Sequence, residues 1–466
     1  MKRLLRALPL LLASCAVGPD YERPPVDSPA AWRDGLRDST SLADTPWWAL
    51  FKDDALVGTI RAALEGNPDV LIAMERVHEA RARAGFVRAD LYPRLDAGAN
   101  AGVARQSEQL ANFPLRDPKY QYYEVYGALS WELDLWGRIR RGVEAAEAEI
   151  LAAEEGRRSI VVAVVAEVAR AYLEMRDLDA RIEYSRGTVV SRREYVALAR
   201  LRFEGGITSE LDLRQAEAEL ARTQTVLADL ERQGREKENE LSILIGRNPG
   251  ERARGAAIEA LPLPPQVPPG IPSQILERRP DIRAAEQGLV AANARIGEAK
   301  ALMYPRITLT AVGGYQSTDV SNFITSSASF WQLIGGIVAP IWDWGKNQSR
   351  VEETEARMRA SVINYQAAIR QAFREVEDAL VAIRKAAEKR TSLDAQVEAQ
   401  RRVLVLAEVR YRGGISPYLE VLDAQRALFD AELERAVTIR DQLTSVVRLY
   451  RALGGGWSPV EPPKAP

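Results

Sequence analysis

Apolar and polar positions follow two different periods along this chain, and the switch from one to the other happens twice. In VYGALSWELDLW, Val125, Leu129, Trp131, Leu133 and Leu135 fall on one face, while Glu124, Tyr126, Ser130, Glu132 and Asp134 fall on the other. RLDAGANAGVARQ likewise sets Leu95, Ala97, Ala99, Ala101 and Val103 against Asp96, Asn100 and Gln106. RITLTAVGGYQS alternates in the same way, and FWQLIGGIVAPIWDW does so less regularly. A period of two predicts strands with one apolar face, here about 94–106, 122–135, 306–317 and 329–343.

Elsewhere the period lengthens. Residues 138–204 are rich in Ala, Glu, Arg, Leu and Val and contain no proline, which predicts one long helix. At 1.5 Å per residue it is about 100 Å long. Gly205-Gly206 turns the chain into a returning helix that ends near GRNPG, so the first hairpin spans about 138–245. A second hairpin runs from about 347 to 452 and turns at Gly413-Gly414. On its return helix Leu422, Phe429, Leu433, Ala436, Leu443, Val447 and Tyr450 form one stripe at spacings near 3.5, the signature of coiled-coil packing.

The two halves are copies. RFEGGITSELDLRQAEAEL from Arg202 matches RYRGGISPYLEVLDAQRAL from Arg410 at an offset of 208. NPDVLIAMERVHEARARAGFVRADLYPRL from Asn67 matches RPDIRAAEQGLVAANARIGEAKALMYPRI from Arg279 at an offset of 212. DLWGRIRRGVEAAEAE pairs with WDWGKNQSRVEETEAR at 208, which aligns Trp136 with Trp344. LPLPPQVPPGIP, half proline, stands between the copies as an extended linker. The expected organisation is an N-terminal segment 15–66, a first repeat 67–260, a linker 261–272, a second repeat 273–456 and a tail 457–466.

Charge and composition narrow the function. The net charge is -2, and one histidine (His78) and one cysteine (Cys15) are present. That leaves no basic excess for nucleic acid and no residues for zinc sites, thiol–disulfide chemistry or histidine triads. No Gly-rich phosphate loop accompanies the carboxylates, so neither an enzyme nor a cofactor is expected. The N-terminus MKRLLRALPLLLASC joins a basic start to a short apolar run, an export signal over 1–14 rather than a membrane span. Leu12-Ala13-Ser14-Cys15 reads as a lipoprotein cleavage box in which Cys15 is acylated. Ala16 follows in place of the aspartate of inner-membrane retention, which points to the outer membrane.

In an exported lipoprotein, strands with one apolar face and aromatic residues near their ends (Tyr122, Tyr123, Trp131, Trp136, Trp331, Trp342, Trp344) read as transmembrane β-structure. Four strands do not close a barrel, and an open sheet edge in lipid is forbidden energetically. The chain is therefore expected to oligomerise.

CAVGPDYERP from Cys15, WWALFKDDAL from Trp47, ERRPDIRAAE from Glu277, RYRGGISPYLEVLDAQRAL and LGGGW from Leu453 resemble signatures of the TolC-like outer-membrane efflux channels. The resemblance spans the mature chain and is to the lipoprotein branch serving RND-type pumps (OprM or NodT type). It implies a mainly α fold with transmembrane β: a homotrimer whose protomers give four strands each to a twelve-stranded barrel, continued by a periplasmic helical tunnel. It further implies a passive duct for small molecules, an inner-membrane RND transporter that supplies energy, and a periplasmic adaptor. The adaptor is expected to touch the hairpin tips, Gly205, Gly206, Ile207, Thr208 and Gly413, Gly414, Ile415, Ser416. Leu419 and Asp423 fit a lumen-facing constriction, with Arg426 one turn on as a partial counter-charge. Tyr411 and Arg412 fit inter-helix ties that hold it shut, with Asp212 a candidate acceptor. The partners in the first copy, Leu211, Gln215 and Ala218, carry no charge. A type I secretion duct is the nearest alternative, disfavoured by the lipobox. A periplasmic spacer would not need the four strands.

Overall fold

The structure, a computed structural model, describes residues 16–33, 48, 51–105, 107, 119–262 and 272–455. The signal segment, Cys15, most of the proline-rich linker and the tail lie outside the described residues. Helix α1 (Asp54–Gly66) precedes the first repeat, which comprises helix α2 (Pro68–Ala89), strands β1 (Arg94–Arg105) and β2 (Lys119–Leu133), and helices α3 (Arg138–Glu204) and α4 (Glu210–Leu244). The second comprises α5 (Pro280–Ala301), β3 (Arg306–Ser317), β4 (Ser329–Val338), α6 (Lys346–Arg412) and α7 (Tyr418–Ala452). Equivalent helices match in length: 22 residues in α2 and α5, 67 in α3 and α6, 35 in α4 and α7.

Two compact units emerge. The first holds the sheet together with residues 76–154 and 284–366. Its strands pair antiparallel in the order β1-β2-β3-β4. The register aligns Leu95, Leu129, Ala311 and Leu333 in one cross-strand row, and Leu133, Ile307 and Ile337 in another. The opposite face carries Asn100 paired with Glu124, joined by a 3.0 Å hydrogen bond, and Gln316 beyond. Alternation in sequence thus becomes one apolar and one polar face. On the polar face the rings of Tyr126 and Tyr122 lie over Gly98 and Gly102, where a β-carbon would collide with them.

Two strands, β2 and β4, differ from expectation at their ends. β2 begins at Lys119 and stops at Leu133, because Asp134 accepts hydrogen bonds from the Ile139 and Arg140 amides and caps α3. β4 ends at Val338; Pro340 just beyond lacks an amide to continue the ladder.

In the same unit, α3 packs on α5 across the repeat boundary. Ala145 and Ala148 meet Ala291 and Ala294, all buried, and small side chains let the backbones approach. Glu149 and Arg295 form an ion pair beside them. Trp136 stacks on Tyr304 with centroids 4.8 Å apart, and its indole donates to the Pro305 carbonyl at 2.8 Å. An N-terminal strap follows this seam: the Pro19 carbonyl accepts from Asn293, and Asp20 pairs with Arg141 at 2.9 Å.

The second unit comprises residues 26–75, 155–283 and the chain from 367 onward. Its core includes Val168, Ala171, Tyr172, Leu173 and Met175 of α3, with Leu443, Val447 and Tyr450 of α7. Tyr172 donates to Asp53 at 2.8 Å and accepts from the Gly255 amide, which fastens the start of α1 to α3. Ion pairs lace each hairpin, Arg200–Glu217 at 3.1 Å in the first and Arg401–Glu432 at 2.9 Å in the second. Among the described residues no helix is long and apolar enough to cross a membrane.

Candidate functional site: the two hairpin tips

Both tips close by the same hydrogen bonds. In the first, the amides of Gly205, Gly206 and Ile207 donate to the carbonyls of Leu201, Phe203 and Arg202. In the second, Gly413, Gly414 and Ile415 donate to Val409, Tyr411 and Arg410. Gly206 (φ 70°) and Gly414 (φ 74°) sit in the left-handed region that ends helices and favours glycine. A β-carbon at either would meet nothing within 4 Å, so backbone conformation alone requires the glycine. Ile207 and Ile415 project into solvent, while the hydroxyls of Thr208 and Ser416 are buried and lack a hydrogen-bond partner among the described residues.

Behind the tips the copies differ. Tyr411 is 3% exposed and joins Tyr195, Leu213, Tyr418 and Val421 in one apolar cluster. Its ring lies 5.6 Å from that of Tyr418. Arg202 of the first hairpin rests over the Tyr411 ring at 4.6 Å and donates to the carbonyls of Tyr411 and Arg412 at 3.4 Å. Burial pushes the Tyr418 hydroxyl up to about 12. The Tyr411 hydroxyl has no hydrogen-bond partner among the described residues. Arg412 is exposed and its nearest carboxylate is Glu408, at 3.9 Å. Asp212, the acceptor expected from the sequence, is not its ion-pair partner within the protomer.

Leu419, 49% exposed, and Asp423 both face solvent on α7, one turn apart. Arg426 departs from expectation. It does not serve Asp423; its Nε donates to Glu219 of the first hairpin at 2.6 Å. Glu219 is buried and also pairs with Arg192 at 2.8 Å, whose guanidinium lies over Phe429. Burial acts to raise the Glu219 carboxyl, but Arg426 and Arg192 outweigh it and hold it below the ordinary glutamate value. The reason for the departure is geometric: Arg426 is half-buried on the side of α7 toward Glu219, whereas Asp423 points to solvent.

Glu219, Arg192, Arg202, Tyr195 and Tyr418 escaped the sequence reading, although for Glu219 a signal was present. Positions 218–219 read Ala-Glu and the matching 426–427 read Arg-Ala, so each copy carries a charge where the other carries alanine. Such reciprocal exchange marks a contact between the copies. No cluster of His, Cys, Asp or Glu able to hold a metal occurs among the described residues.

What this arrangement offers is a sheet with a lipid-compatible face and hairpins held by ion pairs. The outer membrane efflux protein model matches residues 59–247 and 271–455, one match to each repeat. The chain belongs to the outer membrane efflux protein family. It is 36% identical to the solvent efflux pump outer membrane protein SrpC of Pseudomonas putida, over 96% of this chain and 97% of that protein. It is 33% identical to outer membrane protein OprJ of Pseudomonas aeruginosa, covering 96% and 94%. The outer-membrane channel OprN superposes with a TM-score of 0.85 at 31% identity, covering 96% of this chain and all of that one. SrpC is the outer membrane protein of a solvent efflux pump and OprN an outer-membrane channel, and this efflux protein is the outer-membrane channel component of a pump system.

Proposed function

We propose that three copies form one passive duct, each giving four strands to a twelve-stranded barrel. The observation that carries this is the sheet itself: among the described residues β1 and β4 each pair on one side only, and Leu95 and Leu333 at the ends of one apolar row are exposed. Every unpaired backbone group in lipid costs several kcal/mol, so the edges need partners. Mass measurement of the detergent-purified protein tests it, and a folded monomer with an intact sheet would refute it.

In this reading a periplasmic adaptor grips the tips, where Ile207 and Ile415 are exposed apolar side chains beside the left-handed glycines. An inner-membrane RND transporter supplies the energy, and the cargo is small molecules. Leu419 and Asp423 form the periplasmic constriction. Three Asp423 side chains brought together repel one another, and ties through Tyr411 and Arg412 hold the ring shut. Support comes from the protomer's own contacts: the Tyr411 hydroxyl and the Arg412 guanidinium are poorly used within it. Acylation of Cys15 adds a second hold on the membrane, each buried CH₂ contributing about 0.8 kcal/mol.

A further inference from the structure

In the first unit, helices α2, α3, α5 and α6 line one open groove of about 330 Å³, a volume within the range of small-molecule sites. Each repeat turns the same face to it. Arg83 and Arg295 are counterparts at the offset of 212, while Gly142 and Arg350, like Glu149 and Arg357, are counterparts at 208. The N-terminal strap lies on another face. On α5 it meets Asn293 and Gly297, whereas Arg295, Ala299 and Leu302 line the groove. At about 100° per residue these are opposite sides of the helix.

The floor is small and apolar, with Ala145 and Ala146 of α3 beside Ala299 and Leu302 of α5. Gly142 belongs to it, and a β-carbon there would touch Val87 at 3.6 Å and Glu298 at 3.8 Å. Around this floor the copies have diverged in charge. The first contributes Arg83 and Glu149, which balance in number. The second contributes Arg295, Arg350 and Arg357 against Glu298 and Glu353, so the excess cation is its own. Packing does not account for that excess. Arg350 stands where the first copy has glycine, is exposed, and makes no hydrogen bond or ion pair among the described residues. Arg357 stands where the first copy has glutamate, and it pairs with Glu353 one turn back on the same helix. That pair is exposed and contributes little by itself.

We infer that this groove binds amphiphilic organic anions, with an apolar body on the alanine–leucine floor and a singly charged head held by Arg350. A guanidinium matches a carboxylate with two parallel N–H donors, and those of Arg350 are uncommitted. Arg357, two turns further along the same face of α6, adds positive potential to the same stretch. The glutamates in the lining weigh against multiply charged ions, which they repel. The apolar floor favours a molecule with a hydrocarbon body over a bare inorganic anion. This rests on the duct reading and specifies the class of cargo that lingers on the wall.

Planar-bilayer conductance tests the site with octanoate as the probe, and with acetate and octanol as its head and its body taken separately. Octanoate should reduce the channel current at concentrations about tenfold below those at which acetate or octanol does. Arg350→Gly with Arg357→Glu installs the residues of the first copy. It should weaken block by octanoate about tenfold or more and shift the reversal potential in a potassium chloride gradient toward cation selectivity. Arg350→Gln removes no contact within the protomer and should weaken block in the same direction, while Arg350→Lys should retain most of it. Equal block of the parent and Arg350→Gln, or block that octanol reproduces, overturns the site and leaves the duct standing. A parent protein that carries no current at all overturns the duct reading and the site with it.

Discussion

The two hairpins have equal helix lengths and the same turn, yet they bury different things. Where the second buries Tyr411, the first leaves Phe203 39% exposed. Where the first buries Glu219 and Asp177, the second has Ala427 and the solvent-facing Lys385. Repetition fixed the backbone, and divergence then built contacts between the copies. Both charged clusters are such contacts: Glu219 holds Arg426, and Asp177 holds Arg440 at 3.2 Å. The first hairpin thus grips the second through buried carboxylates, and the second keeps an exposed face with Leu419 and Asp423.

The comparison breaks most visibly at Glu219. Glu219→Ala leaves Arg192 buried without its carboxylate and should cost about 3–5 kcal/mol, seen as a lower unfolding midpoint in denaturant. Glu217→Ala, which removes exposed pairs with Arg214 and Arg200, should lower the midpoint far less. Equal losses would mean the buried network does not hold the hairpins together.

Tyr411 comes next. Tyr411→Ala empties a packed site and should cost about 3 kcal/mol or more, whereas Phe203→Ala should cost much less because Phe203 is partly exposed. Tyr411→Phe should leave protomer stability nearly unchanged, since the hydroxyl makes no bond there. Thermal melting of the three variants separates the outcomes.

Asp177 sharpens the comparison through pH. Burial pushes its carboxyl from 3.8 up to about 6, against the opposing pull of Arg440 and Arg181; Asp441, beside Arg440, adds to the rise. The folded state therefore binds this proton more tightly than the unfolded state. Stability from this group falls as pH rises from 3.8 to about 6 and stays lower above it, by at most about 3 kcal/mol. Asp177→Asn should flatten that part of the pH dependence of the melting midpoint, and Lys385→Ala should leave it intact. A wild-type midpoint that climbs steadily through this window, unaltered by Asp177→Asn, would contradict the assignment.

The smallest effect lies where the copies agree. Gly206→Ala and Gly414→Ala each place a β-carbon at positive φ and should cost about 1 kcal/mol, equally at both tips. A clear inequality would show that one turn is held by something beyond its own backbone.

Much of this fold is legible in the sequence, and the failures have physical causes. Strict alternation reveals the strands because each residue of Leu95–Val103 has only two directions to point. The long helices are visible in the absence of proline from 138 to 204. β2 outruns its expected start because KYQYY does not alternate, and its end yields to Asp134, whose capping role competes with its place in the pattern. Arg426 and Glu219 were illegible singly, since a helical charge usually faces water. Only their reciprocal exchange for alanine between the copies distinguishes them. Exposure of Trp344 against partial burial of its counterpart Trp136 is invisible in the sequence, because sequence repeats do not say which copy has a neighbour.

The central claim is that the duplicate hairpin carries the closure while the first serves as its wall. Single-channel conductance in planar bilayers tests it most directly. Tyr411→Phe combined with Arg412→Ser removes polar groups left almost unused within the protomer, and it should raise conductance. Phe203→Leu with Glu204→Ser makes the matching change in the first hairpin and should raise it less. If the first-copy pair gives the larger gain, the closure has been assigned to the wrong hairpin and the account fails.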